Sequence, residues 1–564
     1  MAMSSATPTS GTSPARRLSL AGVLRLRRPS EIWFKPALSS VAAVAPPNLL
    51  LLAFGRLDLA MYTMAGSLCA LYAHNRPYAA RARTLAGVVL GMIGGLAIAL
   101  VAASLTRDAV VLVTVGALLA AVQKAVCDAT RVGPPGHVIP AFITSAALFA
   151  PQTLAQVPGH LALATAAGVW AWLVGMAPAV VRPHGPERRA TAQALNAAAA
   201  YAATRGTGDG HAPLRAAGYA AVQAAWQTLL SLPATGARAT TRYALERLLV
   251  RAEVALAAPA DTDPERLRAW AHALRGGGRI PRTGDAPADT DELLGADAEL
   301  AARPAPLRHR LGPLTPIAVR TALGCALAGY ASLALGIGRP YWALVTAAAL
   351  YQANITLTWS RAVQRVVGNL AGVLLFAAIA PLAHLGQVLL VLCCVALNFG
   401  AEALITRNYW LGTVCVTPMA LLVTEFAGYQ APGDLMTERA VDTLVGALVG
   451  FLAAVVVTNR RAGGRVEQAV TAADRARERT ARLLAEPAPA PGALEAARRG
   501  LAAALTDLRA TADGAAGEWW GRALPQERVV LAEQSGHRTL AEAVRRQAAR
   551  PDRDTGTRTE DVRP

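Results

Sequence analysis

Charged residues are scarce in this 564-residue chain, at 16% of positions against ~25% in a soluble globular domain, leaving too little polar surface for an ordinary water-facing shell. Lysine is nearly missing. Only Lys35 and Lys124 occur, so the net charge of +18 is carried almost wholly by arginine. Aromatic residues make up 5%, and the arginines sit in short clusters beside apolar runs rather than in a stripe interleaved with aromatics, which argues against a nucleic-acid partner. Neither lysine follows a glycine. That excludes a Gly-x-x-x-x-Gly-Lys-Ser/Thr phosphate loop, and with it an ATPase engine of that type. The chain also lacks a His-Glu-x-x-His pair, a Gly-x-Ser-x-Gly elbow and a Cys-x-x-Cys pair. An enzyme, a metal site and a resident cofactor are therefore not expected. The six cysteines (Cys69, Cys127, Cys325, Cys393, Cys394 and Cys415) lie in or at the edge of apolar runs and read as packing residues.

Apolar residues fill the space, at 54%. Because lipid offers the backbone no hydrogen-bond partner, a crossing helix needs ~20 mostly apolar residues. Six such stretches run near 36–54, 58–74, 85–104, 109–127, 137–156 and 161–181, with the second and fifth short and Pro46-Pro47 interrupting the first. Six more follow near 316–337, 341–357, 366–384, 387–405, 409–427 and 440–458. Arginine and lysine in the short loops alternate accordingly. Arg76, Arg81, Arg83, Lys124, Arg131, Arg182, Arg361, Arg365, Arg407, Arg460 and Arg461 fall on one side, where the positive-inside rule puts the cytoplasm. The opposite side holds Arg56, Arg107, Arg339 and the acidic Glu425, Asp434 and Glu438.

The two sets resemble each other at an offset of about 280 residues: Thr63 matches Thr346, Arg81-Ala82 matches Arg361-Ala362, and Gly87 and Gly91 match Gly368 and Gly372. Six is even, so both halves enter from the same side. The expected fold is an all-α polytopic membrane protein with about twelve transmembrane helices in two parallel six-helix repeats, with the substrate path between or within them. Its parts are a basic cytoplasmic tail (1–34), a first membrane half (35–181), a cytoplasmic helical domain (182–315), a second membrane half (316–458) and a cytoplasmic helical region with a disordered end (459–564). Both termini are expected in the cytoplasm. From Arg16 to Arg28 the tail reads either as disordered or as a basic helix on an anionic lipid surface.

Candidate transport residues concentrate between Arg339 and Gly372. There Tyr341, Trp342 and Asn354 precede Arg361 and Arg365, whose i, i+4 spacing projects two guanidinium forks from one helix face, suited to a carboxylate. Snorkelling of those arginines to head groups, and an interfacial belt for Tyr341 and Trp342, are the competing readings. Asp442 reads as a proton carrier or as the ion-pair partner of Arg439. Loop-edge pairs are expected for Lys124 with Asp128 and for Glu402 with Arg407. Gly87, Gly91, Gly368, Gly372, Gly446 and Gly450 have the spacing that lets helices approach closely, within the chain or in a homo-oligomer.

These residues carry a family resemblance. Pro316, Arg320, Gly338, Tyr341-Trp342, Arg361-Ala362, Gln364-Arg365, Gly368, Gly372, Arg407-Asn408-Tyr409, Arg439, Asp442-Thr443 and Gly446 together resemble the fusaric-acid-resistance, or aromatic acid exporter, family of bacterial membrane proteins. The likeness is densest over 316–458; the first half keeps only the helix plan. The resemblance implies proton-driven export of aromatic or other small organic anions from the bacterial inner or plasma membrane. A similar core in a plant malate channel family implies passive anion conduction as the alternative, and a membrane scaffold whose cytoplasmic bundles recruit partners is a third reading.

Overall fold

The computed structural model describes residues 18, 20–26, 33–204, 211–230, 237–257, 259–276, 278–282, 311–352, 354–457, 462–490, 492–516 and 526–548. Most of the basic tail, Arg460, Arg461 and the C-terminal end lie outside the described residues. Among the described residues every regular element is a helix.

The membrane part comprises α1 (Phe34–Ala53), α2 (Ala60–Ser67), α3 (Tyr78–Leu105), α4 (Ala109–Thr130), α5 (Val138–Leu148) and α6 (Val157–Met176) in the first half. The extramembrane helices α7 (Gly185–Ala202), α8 (His211–Leu230), α9 (Ala237–Ala257) and α10 (Pro264–Arg275) follow. The second half holds α11 (Thr315–Ala334), α12 (Tyr341–Leu350), α13 (Ile355–Ala383), α14 (Gln387–Ile405), α15 (Tyr409–Thr424) and α16 (Pro432–Val456). The chain ends in α17 (Ala462–Ala485), α18 (Ala493–Ala516) and α19 (Gln526–Ala548).

Among the described residues, 9 helices are long and apolar enough to cross a bilayer, and three apolar segments are shorter: Leu57–Leu71, Val138–Leu148 and Tyr341–Leu350. The protein is a multi-pass membrane protein. At ~1.5 Å per residue the ten residues of α12 cover roughly half of the hydrocarbon, so non-helical backbone continues at membrane depth. Such backbone survives only where protein or a water-filled cavity surrounds it. All ten residues of α12 are indeed buried. The eighth apolar stretch therefore differs from its expected range 341–357. It stops at Leu350, and Asn354 opens α13 by accepting from Leu357 N at 2.8 Å, a cap worth ~1 kcal/mol.

Pro46 and Pro47 do not interrupt α1, contrary to the sequence expectation. Pro46 deprives the Ala42 carbonyl of its intrahelical partner, and Trp170 of α6 donates its indole N–H to that oxygen at 3.0 Å.

Packing pairs recur in the two halves. In the first, α1 packs on α2 and α6, α3 on α5 and α6, α2 on α6, and α4 on α5; in the second, each contact reappears between helices numbered ten higher. The halves meet through α1 against α14 and α4 against α11. Outside the membrane, α7–α10 surround a core that includes Leu195, Trp226, Leu248 and Leu274, while α17–α19 enclose Val466, Leu501, Leu505 and Leu540. These form one bundle, since α18 packs on α8 and α19 on α9.

Candidate functional site

A cavity of about 1760 Å³ lies between the halves on the side of the extramembrane bundle. The ends of all three short segments reach it, through Leu71 and His74, through Pro135 and His137, and through Gln352. Helix shortening and cavity are thus one feature. His137 donates through Nε2 to the Ala348 carbonyl at 2.9 Å, tying the start of α5 to α12 across the halves.

Nine cations line this space (Arg25, Arg76, Lys124, Arg131, Arg361, Arg365, Arg407, Arg439 and Arg465) against the two carboxylates Asp128 and Glu402. Such an excess in a low-dielectric cleft focuses a positive field that concentrates anions. One carboxylate is spent locally, because Lys124 Nζ sits 2.7 Å from Asp128 Oδ2, as the sequence spacing suggested. Glu402 and Arg407, expected as a pair, both face the cavity and form no ion pair among the described residues.

The cations descend in order. Arg361 and Arg365 lie six and ten residues into α13, about 9 and 15 Å from its start. Arg361 places its guanidinium 3.9 Å from the centre of the Tyr409 ring, and Arg365 donates to the Tyr409 hydroxyl at 2.7 Å. Both side chains are thereby held against Tyr409 on the cavity wall. Arg439 enters from the antiparallel α16 and lies 4.1 Å over the Trp342 ring at 2% exposure. Arg439 Nε and Nη1, Arg365 Nε, Trp342 Nε1 and Thr346 Oγ1 are all buried without a hydrogen-bond partner among the described residues. Buried unsatisfied donors cost ~1–3 kcal/mol each, more when charged, so those of Arg365 and Arg439, which line the cavity as Trp342 and Thr346 do not, are suited to an absent acceptor. One turn from Arg365, the polar contacts are complete: Asn369 donates to Thr443 Oγ1 at 2.9 Å and accepts from Thr417 at 2.6 Å.

The other sequence candidates are placed differently. Tyr341 stacks on Phe149, with centroids 5.7 Å apart, and is not on the cavity wall. Asn354 is not on the wall either; besides its capping role it donates to the Gly514 carbonyl of α18 at 3.1 Å. Asp442 makes no ion pair with Arg439 among the described residues; it accepts from Ser332 Oγ at 2.6 Å and leaves Oδ2 buried without a partner. A Cβ added to Gly446 would lie 2.4 Å from the Ala343 carbonyl oxygen, and one on Gly450 3.0 Å from the Ala347 Cβ. On Gly368 it would meet the Trp410 carbonyl oxygen at 2.6 Å, and on Gly372 the Thr417 Cβ at 2.6 Å. Gly87 and Gly91 have nothing within 4 Å, so within this chain they pack no helix. Gly66, whose Cβ would lie 2.2 Å from the Ala164 carbonyl oxygen, does this in the first half.

Sequence reasoning missed Tyr409, named only within the family resemblance, and Arg439, assigned to its neighbour in sequence. It also missed a strap across the mouth: Gln364 and Asn408 donate to the Val23 carbonyl at 2.9 and 3.0 Å, and Trp410 to the Leu24 carbonyl at 3.2 Å. The side chains holding the strap alternate in sequence with Arg361, Arg365 and Tyr409, which is the signal that pointed there.

Comparison with known proteins agrees with this placement. Residues 326–453 match the family described as fusaric acid resistance protein-like. The uncharacterized membrane protein YvaC of Bacillus subtilis (strain 168) is 35% identical over 141 residues, a match that spans 25% of this chain and 22% of that relative. No solved structure matches the chain. The part of this multi-pass membrane protein that is similar to the fusaric-acid-resistance-like family is thus its second membrane half, the half that carries the cations and their aromatic partners.

Proposed function

We propose that the protein exports small organic anions, aromatic carboxylates foremost, across a bacterial plasma membrane, with its extramembrane bundle and both termini in the cytoplasm. The observation that carries this reading is the pair of arginines, Arg365 and Arg439, that present buried unsatisfied donors at the wall of a cationic cavity. A carboxylate offers the acceptors these donors lack, and the planar guanidinium groups grip it in two places. An aromatic body fits beside Tyr409 and Met419 on the same wall.

Asp442 is the titratable group that makes anion binding depend on pH in this scheme. It sits one turn from Arg439 with an unpartnered carboxylate oxygen, so its negative charge competes with the substrate for that cation. Protonation removes the competitor and strengthens anion binding. The recurrence of packing pairs between helices numbered ten apart, and the matching α1–α14 and α4–α11 contacts, support two parallel repeats about an axis through the cavity.

Counterflow of radiolabelled carboxylates in vesicles, with and without an imposed pH gradient, tests this reading. Uptake of aromatic acids that responds to the gradient is the expected result. Current that reverses at the anion's own equilibrium potential and ignores the gradient would instead make the protein a channel.

A further inference from the structure

We propose that the C-terminal turn of α18 is a lid on the bundle-side mouth of the cavity, latched by Asn354. Ala510, Thr511, Gly514 and Ala515 of this turn form part of the cavity wall, so the extramembrane bundle closes the space rather than standing apart from it. Among the described residues the latch is a hydrogen bond from Asn354 Nδ2 to the Gly514 carbonyl at 3.1 Å. Asn354 Oδ1 meanwhile caps α13, so a single buried side chain joins the lid to the helix that carries Arg361 and Arg365.

Charged contacts hold α18 in the bundle, among them Arg509 near the lid end, 3.5 Å from Glu533 of α19. At the start of α18, Arg498 lies 2.5 Å from Glu253 of α9 and also pairs with Glu495, while Arg499 stands 4.6 Å over the Trp226 ring of α8. Glu253 further accepts from Trp226 Nε1 at 2.7 Å. Burial pushes the Glu253 carboxyl up, against the pull of Arg498, and the flanking carboxylates hold the Arg498 guanidinium above its usual range despite its own burial. That end is clasped into the bundle by charge-assisted contacts, which are about twice as strong as neutral ones. At the lid end the latch is neutral, and a Cβ added to Gly514 would touch nothing within 4 Å. When the mouth opens, the neutral latch parts and the charged clasp holds, so the bundle moves with the lid. The anionic nature of what the lid admits rests on the transport reading above; its control of access does not.

Cys127 lies on the cavity wall, whereas Cys69 is 1% exposed and away from it. The test measures maleimide labelling of both, residue by residue by mass spectrometry, in full-length protein in lipid nanodiscs. Asn354→Asp and Asn354→Ser both keep an N-cap oxygen for α13 but lose the amide that holds Gly514. The expected result is a several-fold faster reaction of Cys127 in both variants with Cys69 still unreactive. An unchanged rate in both, a rise in Asn354→Asp alone, or an equal rise at Cys69 would overturn the lid. Because the readout is thiol access, a lid that passes alongside failed counterflow would refute transport alone.

Discussion

In α16 the buried residues Arg439, Asp442, Thr443, Gly446 and Gly450 follow one another at intervals of three, one, three and four; in α6 Ala164, Ala167, Gly168, Ala171 and Gly175 keep the same intervals. A similar match links α3 and α13. Gly95 and Gly372 each stand seventeen residues beyond the first residue of their helix, and each faces a threonine, Thr144 of α5 or Thr417 of α15. Counted the same way, Arg365 and Asn369 correspond to Val88 and Met92. The burial pattern is shared while the chemistry is not: where one half has two cations, a carboxylate and an amide, the other has alanine, valine and methionine. A recurring packing pattern thus allows one half to keep costly buried polar groups while the other supplies the well-packed apolar surface against which they are held.

The shared part of this comparison should break with the largest effect. Gly66→Leu and Gly446→Leu force a side chain into a neighbouring carbonyl, so each is expected to cost at least ~3 kcal/mol and to abolish a monodisperse peak in size-exclusion chromatography. Gly87→Leu, facing open space, should leave the monomer's melting temperature unchanged.

The unshared part should break only function. Arg439→Gln removes charged donors worth ~1.5–3 kcal/mol, an expected loss of roughly 10- to 150-fold in anion affinity by isothermal calorimetry. Ala164→Ser, at the matching position of α6, should leave that affinity unchanged. Binding should tighten as pH falls, since a protonated Asp442 no longer competes for Arg439. Asp442→Asn should flatten the pH profile at the tight-binding level, and an unaltered profile would remove Asp442 from the pH dependence of binding. The smallest effect is expected of Tyr409→Phe, which keeps the ring under Arg361 but loses the hydroxyl that accepts from Arg365. One such bond is worth ~1 kcal/mol, or about fivefold in affinity by the same titration.

Most membrane helices were legible in the sequence because length and hydropathy are properties of the segment itself. The break after Leu350 was not, since the stretch from Tyr341 to Thr358 stays apolar enough to read through. What ends α12 is burial in protein rather than lipid, together with the Asn354 cap, and hydropathy does not distinguish the two surroundings. The proline pair in α1 misled for a related reason, because the Trp170 indole that satisfies the freed carbonyl lies far away in the chain. Arg361 and Arg365 were recognisable from helical spacing. Arg439 and Asp442 suggested each other by proximity along α16, yet Trp342 and Ser332 on neighbouring helices take them in different directions. Gly87 and Gly91 look like interior glycines in the sequence, yet in α3 they face no neighbour within the chain.

The central claim is that the second half alone holds the anion, and one measurement reaches it directly: counterflow of a labelled aromatic carboxylate in proteoliposomes at matched protein density. Arg365→Gln and Arg439→Gln should each abolish uptake, while Arg81→Gln, which replaces a first-half cation set against His74 and away from the cavity wall, should retain it. Uptake that survives the first two substitutions and fails with the third would contradict the account.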